Sequence, residues 1–254
     1  RQPAEPPTHR DVKYGPHDRN VMDVWLAESD KPTPVLVSIH GGGFLGGNKS
    51  VRGDLLRQCL ESGISVVAIT YRLSDQAIAP AQFHDSARAI QFIRHKAKEW
   101  NLDPTRMAAT GGSAGAGLSL WLGFHDDLAD PDNEPPVLRE SPRLTCMSVY
   151  GGQTSYDPRF IRDLFPGTDT YRHSALAQLF DVDLGRHLGR RPEVGLGGRR
   201  PAEAALRQAA VEERRHEPRT GGEKGVRLVD HRGVIRHPVY AGGIVMMLFI
   251  PVAL

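Results

Sequence analysis

The chain contains 254 residues with a formal net charge of +2, 39% hydrophobic residues and two cysteines. This length suits one α/β domain with a sizeable core, and the balanced charge gives no reason to expect a nucleic-acid partner. No sequence motif for a metal or a cofactor is present, so neither is expected. Both cysteines, Cys59 and Cys146, fall in predicted core elements and leave the redox compartment open.

Strand-like and helix-like segments alternate along the first 150 residues. Apolar runs typical of strands occur at 21–26, 35–39, 65–71, 107–112 and 144–150, and helical patterns occur near 51–62, 84–99 and 113–127. This alternation predicts a mainly parallel sheet with right-handed crossovers and flanking helices. Ligands of such sheets bind beyond the carboxyl ends of the strands.

The run 35–39 leads directly into the segment 40–44, which reads His-Gly-Gly-Gly-Phe. Without side chains, the backbone N–H groups of Gly41, Gly42 and Gly43 can face a cavity. Together with the N–H of Ala114 they are predicted to form an oxyanion hole, in which each donor typically contributes about 3–4 kcal/mol. His40 is predicted to position this loop rather than to act as a base. The alternative is a flexible turn at the end of a strand.

The segment 111–117 reads Gly-Gly-Ser-Ala-Gly-Ala-Gly and lies between a predicted strand and a predicted helix. This pattern is typical of a nucleophile elbow, a strand-to-helix turn that exposes a serine. Glycine at positions 111 and 115 removes the collisions that so tight a turn would cause, which leaves the hydroxyl of Ser113 exposed. A phosphate-binding loop is excluded because no Gly-Lys-Ser/Thr follows.

These motifs, with the segments 11–15, 21–26, 66–73, 79–85 and 101–106, resemble an α/β-hydrolase over residues 11–183. The resemblance is to esterases related to hormone-sensitive lipases and to feruloyl and acetylxylan esterases. It implies that Ser113 is the nucleophile and that 101–106 is a turn before the next strand. Gly112 departs from the pattern, because relatives often carry an acidic residue there.

A serine hydrolase of this type also needs an acid and a histidine after the serine. The later histidines are His173, His187, His216, His231 and His237. The acids considered with them are Asp163, Asp169, Asp181, Asp183 and Asp230. Each is better explained as a solvated surface group, so the triad acid and histidine stay unassigned, and the sheet is expected to be incomplete after its sixth strand.

The composition changes after residue 183. Residues 184–237 are rich in arginine and glycine and contain no aromatic residue, which predicts an irregular segment. Residues 230–254 resemble membrane enzymes of the isoprenylcysteine carboxyl methyltransferase type, and their apolar part, 238–254, predicts weak membrane association. The chain is therefore divided into a hydrolase domain (1–183), an irregular segment (184–237) and an apolar segment (238–254). A frame change or fusion near 184 explains this division, and an authentic tail is the alternative.

The sequence predicts a serine carboxylic-ester hydrolase that acts on a small ester, with reduced activity because two triad members are missing. Acyl and alcohol specificity is assigned to a cap built from the N-terminal segment and residues 151–156. The alternatives are a non-catalytic protein of the same fold and a fused or frameshifted product with a methyltransferase-like tail. No intact signal peptide is visible, so an exported and a cytoplasmic location both stay open.

Overall fold

The computed structural model describes residues 5–165 and 172–181. The strands are His9–Lys13 (β1), Val21–Trp25 (β2), Thr33–Ile39 (β3), Ser65–Ile69 (β4), Leu102–Gly112 (β5) and Cys146–Tyr150 (β6). The α-helices are Gly53–Glu61 (α1), Ala81–His95 (α2), Ala114–Phe124 (α3), Pro158–Leu164 (α4) and Ser174–Phe180 (α5), and a 3-10 helix spans Pro136–Arg139.

The six strands form one sheet in the order β1-β2-β4-β3-β5-β6. β1 and β2 pair antiparallel, as do β2 and β4, whereas the pairs β3–β4, β3–β5 and β5–β6 are parallel. The predicted, mainly parallel α/β sheet is confirmed. β5 lies between β3 and β6, and Gly111 near its carboxyl end pairs with Ile39 on one side and Val149 on the other. The segments that follow β3 and β5 therefore meet at one edge of the sheet.

Helices cover both faces of the sheet. All five residues of β4 are buried, because this interior strand contributes alternate side chains to two apolar clusters. Val67 and Ile69 pack in the larger cluster, which includes residues of α2 and α3. Val66 and Ala68 pack in the smaller cluster, with Leu56 of α1 among its members.

The segment 101–106 differs from its prediction. Leu102–Gly112 is one continuous strand, although its polar residues and Pro104 favour a turn. Leu102 pairs with Thr33, and the register then shifts before Met107 pairs with Val35. Pairing with β3 thus outweighs the local preference.

Several predictions fall outside the described residues. They include the irregular segment 184–237 and the apolar segment 238–254, to which membrane association was assigned. Within the described ranges 5–165 and 172–181, no helix has the length and apolar character needed to cross a membrane.

Candidate active site

Ser113 lies in a strained turn between β5 and α3. Its φ of 52° and ψ of −120° are unusual for a residue other than glycine, and such conformations typically cost about 1–3 kcal/mol. Two backbone hydrogen bonds hold the turn. The N–H of Ser113 donates to the carbonyl of Tyr150 at 3.1 Å, and the N–H of Gly117 donates to the carbonyl of Ser113 at 3.0 Å.

The two glycines that flank the turn are required by close backbone approach. A Cβ on Gly111 would lie 2.6 Å from the carbonyl carbon of Gly115 and 2.6 Å from the carbonyl oxygen of Ile39. A Cβ on Gly115 would overlap that same oxygen of Ile39 and lie 2.7 Å from the carbonyl oxygen of His40. The collision between positions 111 and 115 is the one that the sequence predicts. The collisions with the carbonyl oxygens of Ile39 and His40 arise because α3 begins directly against the end of β3.

The glycine-rich loop, residues 40–47, lies beside this turn. A Cβ on Gly41 would be 2.6 Å from the carbonyl oxygen of Gly112 and 3.6 Å from the Cβ of Ser113. Gly42 and Gly43 have positive φ values of 107° and 62°, which glycine adopts without strain. The structure therefore brings the predicted nucleophile together with Gly41, the first of the predicted oxyanion donors.

The N–H groups of the three glycines predicted as oxyanion donors, Gly41, Gly42 and Gly43, are unpaired within the described residues. Ala114 is the first residue of α3, where an N–H has no acceptor inside the helix. Donors that are not yet paired can bind a negatively charged oxygen next to Ser113.

The ring nitrogens of His40 have partners other than Ser113. Its Nδ1 lies 2.7 Å from the carbonyl oxygen of Gly41, and its Nε2 lies 3.2 Å from Nη2 of Arg19. Its ring stacks on Tyr71 with the centroids 4.3 Å apart. Burial lowers the pKa of His40 below its ordinary value of 6.5, and the charge of Arg19 lowers it further. Both ring nitrogens are engaged, which agrees with the predicted positioning role.

An aromatic cluster that the sequence did not reveal supports the loop. Phe44 is buried with a positive φ of 62°, and its ring lies 6.1 Å from Phe83 and 5.8 Å from Tyr156. The hydroxyl of Tyr156 is buried and has no hydrogen-bond partner among the described residues. Burial raises the pKa of this phenol. Tyr156, which was expected in a cap, therefore packs beneath the loop.

The ring of Tyr150 lies against Gly112. A Cβ on Gly112 would overlap the ring of Tyr150, and its distance to the Tyr150 hydroxyl would be 2.7 Å. The side chain of Tyr150 is nevertheless largely exposed, with 59% of the residue accessible. The tyrosine thus occupies the space that an acidic side chain at position 112 would need.

The triad acid and histidine are not found within the described ranges. The hydroxyl of Ser113 has no hydrogen-bond partner there. His173 is exposed and caps α5, because its Nδ1 accepts from the N–H of Ala175 at 3.1 Å. Asp163 interacts with Arg162 at 3.3 Å, and Asp181 ends α5. The other candidates, Asp169, Asp183, His187, His216, Asp230, His231 and His237, lie outside the described residues.

Solved structures of esterases share this fold. An acetyl ester-xyloside bifunctional hydrolase from Caldicellulosiruptor lactoaceticus is 26% identical, with a TM-score of 0.51 over 62% of this chain and 60% of that one. Esterase 2 of Thermogutta terrifontis, phosphonylated by sarin, has a TM-score of 0.56 over 70% of this chain and 66% of that one. The sequence of this second structure is 21% identical to the chain, so the comparison supports the fold alone.

Curated relatives and a family match cover the same part of the chain. Esterase LipQ of Mycobacterium tuberculosis is 33% identical over 131 residues, which are 49% of this chain and 31% of LipQ. The probable carboxylic ester hydrolase LipM of the same organism is 37% identical over 147 residues, or 55% of this chain and 34% of LipM. The aligned part is thus about a third of each relative's length. Residues 22–149 match the BD-FAE family. Because that match spans half of the chain, the chain belongs to the BD-FAE family, among the hormone-sensitive-lipase-like esterases that its sequence resembles.

Proposed function

We propose that this chain is a serine carboxylic-ester hydrolase that acts through an acyl-enzyme on Ser113. The observation that carries the proposal is the position of Gly41, whose backbone lies against Ser113 while the loop donors are unpaired within the described residues. The names of the relatives LipQ and LipM support an ester bond as the target.

In this proposal the Oγ of Ser113 attacks the carbonyl carbon of the ester. The carbonyl oxygen becomes an anion, and the N–H groups of Gly41, Gly42, Gly43 and Ala114 donate to it. The carbon–oxygen bond to the alcohol then breaks, and the alcohol leaves with a proton. Water attacks the acyl-enzyme, which releases the acid and restores the serine hydroxyl. Each donor to the anion contributes about 3–4 kcal/mol of transition-state stabilisation.

The proton of the serine hydroxyl needs an acceptor, and none is bonded to it within the described ranges. Without an assisting histidine, a serine hydrolase retains catalysis on the order of 10³–10⁴ over water from its oxyanion hole and binding alone. We therefore expect turnover to be slow but measurable.

A fluorophosphonate probe tests the nucleophile directly. The probe should modify the purified chain once, with the adduct mapped to Ser113 by peptide mass spectrometry, and Ser113→Ala should abolish it. Ser50→Ala, which changes an exposed serine, is the matched control and should label like the parent chain. Labelling that survives in Ser113→Ala would disprove the assignment.

Turnover separates the proposal from a non-catalytic protein of the same fold. p-Nitrophenyl acetate is the first substrate to test, because the Caldicellulosiruptor relative is named for an acetyl ester. The parent chain should release p-nitrophenol faster than Ser113→Ala. Equal release by both, together with no labelling, would support the non-catalytic alternative.

A further inference from the structure

Arg19 connects three parts of the candidate site. It lies in the turn between β1 and β2, and its Nε donates to the carbonyl of Tyr71 at 2.7 Å. Its Nη2 lies 3.2 Å from Nε2 of His40 and donates to the carbonyl of Gly47 at 2.9 Å. One guanidinium thus contacts both ends of the glycine-rich loop and the segment that follows β4.

The turn that carries Arg19 is itself rigidly held. The N–H of Tyr14 donates to the carbonyl of Asn20 at 2.9 Å, and the N–H of Asn20 donates to the carbonyl of His17 at 2.9 Å. Asn20 is completely buried, and its side chain accepts from the N–H of His17 at 3.1 Å. A side chain anchored on such a turn can position the loop that it contacts.

The contacts of His40 determine which of its nitrogens carries the proton. A carbonyl oxygen only accepts, so the short contact to Gly41 requires a proton on Nδ1. A guanidinium only donates, so the contact to Arg19 requires an unprotonated Nε2. Only the neutral Nδ1–H tautomer satisfies both contacts.

The loop closes on the ring of His40. A Cβ on Gly47 would overlap Nδ1 of His40, so the end of the loop lies directly against the imidazole. Tyr71 packs on the ring at 4.3 Å and donates its hydroxyl to the carbonyl of His40 at 2.8 Å. Among the residues that the structure describes, Arg19 and Tyr71 are the titratable side chains that contact this ring, and Arg19 supplies the positive charge.

We infer that Arg19 is a positioning residue of the oxyanion loop, which holds His40 as the neutral Nδ1–H tautomer and fixes both ends of the loop beside Ser113. The inference rests on the proposed function, because it assigns a purpose to the loop as an oxyanion hole. It predicts that loss of Arg19 lowers kcat by a larger factor than it changes KM. The reason is that the loop donors act on charge that develops only in the transition state.

The first test is made on the parent chain by two-dimensional ¹H–¹⁵N correlation of the histidine rings. His40, identified by comparison with His40→Gln, should show a protonated Nδ1 and an unprotonated Nε2 at pH 8. A proton on Nε2, or an averaged mixture of tautomers, would overturn the inference. This measurement needs no activity, so it tests the contacts of Arg19 and His40 even if the ester-hydrolase proposal fails.

The second test uses Arg19→Gln, with Arg19→Lys as the conservative variant. We expect Arg19→Gln to lower kcat about 10- to 100-fold for p-nitrophenyl acetate with KM changed less than about threefold. Arg19→Lys should recover part of this loss, because one ammonium group reaches fewer acceptors than a guanidinium fork. Arg52→Gln, which removes an exposed arginine paired with Asp54, is the control and should leave kcat unchanged. Unchanged kcat in a folded Arg19→Gln would contradict the inference while leaving the function intact.

The pH dependence gives a third readout with a defined sign. The pKa of His40 is lowered, so the loop contacts are complete above the ordinary value of 6.5 and are lost as the pH falls through the lowered pKa. Protonated Nε2 can no longer accept from Arg19. In Arg19→Gln the pKa of His40 should rise, because a nearby positive charge is removed. A pKa of His40 that stays constant or falls in this variant would refute the contact.

Discussion

Replacement of Gly115 by alanine tests how the turn at Ser113 is built. The added methyl group would overlap the carbonyl oxygen of Ile39 and lie 2.7 Å from the carbonyl oxygen of His40. Both obstacles are backbone atoms, which cannot rotate away. Because ordinary carbon–oxygen contacts are about 3.3 Å or longer, relief of the His40 contact alone requires a shift of about 0.6 Å, and the Ile39 contact requires more. The start of α3 must therefore move by about 1 Å relative to β3.

A displacement of this size separates Ser113 from the loop donors. A 1 Å misplacement of reacting groups can lower the rate about 100-fold, so we expect both kcat/KM and the fluorophosphonate labelling rate to fall by about that factor. Overpacking costs about 1–3 kcal/mol, and the helix preference of alanine returns up to about 1 kcal/mol. The free energy of unfolding in urea should therefore fall by up to about 3 kcal/mol.

Gly53→Ala is the matched control. Gly53 is the first residue of α1, and a Cβ there meets no atom within 4 Å. This variant should keep the parent labelling rate and gain a few tenths of a kcal/mol of stability. If Gly115→Ala labelled at the parent rate with unchanged stability, the close approach of α3 and β3 would be wrong.

Two further predictions concern stability. Asp85→Asn should lower the free energy of unfolding by about 3 kcal/mol, because the nearly buried carboxylate accepts from the backbone N–H, Nε and Nη2 of Arg72. Asp54→Asn, in an exposed ion pair, is the control and should have a much smaller effect in the same urea titration. Gly112→Asp should change the free energy of unfolding by less than about 1 kcal/mol, because the ring of Tyr150 that would meet the new side chain is largely exposed and can rotate away. A much larger loss in the same titration, recovered when Tyr150→Ala is added in a double-mutant cycle, would show instead that the ring is held in place.

Local patterns carried most of the correct predictions. The alternation of apolar runs predicted the parallel sheet, since strand and helix periods are readable in short windows. The glycines at 111 and 115 predicted a tight turn at Ser113 because steric limits act between near neighbours. The start of β5 was missed, since Leu102 pairs with a residue far away in the sequence.

What the sequence alone determined is the pair of motifs: a serine in a glycine-flanked turn and a glycine-rich loop, each at the end of a strand. The two motifs lie next to each other because β3 pairs with β5, a pairing that the α/β pattern implies. Only the tertiary structure decided the contacts of Arg19. Its partners are His40, Gly47 and Tyr71, which lie 21, 28 and 52 residues further along the chain. Likewise, the ring of Tyr150 fills the space beside Gly112. Such contacts depend on how elements pack, and no local period encodes that packing.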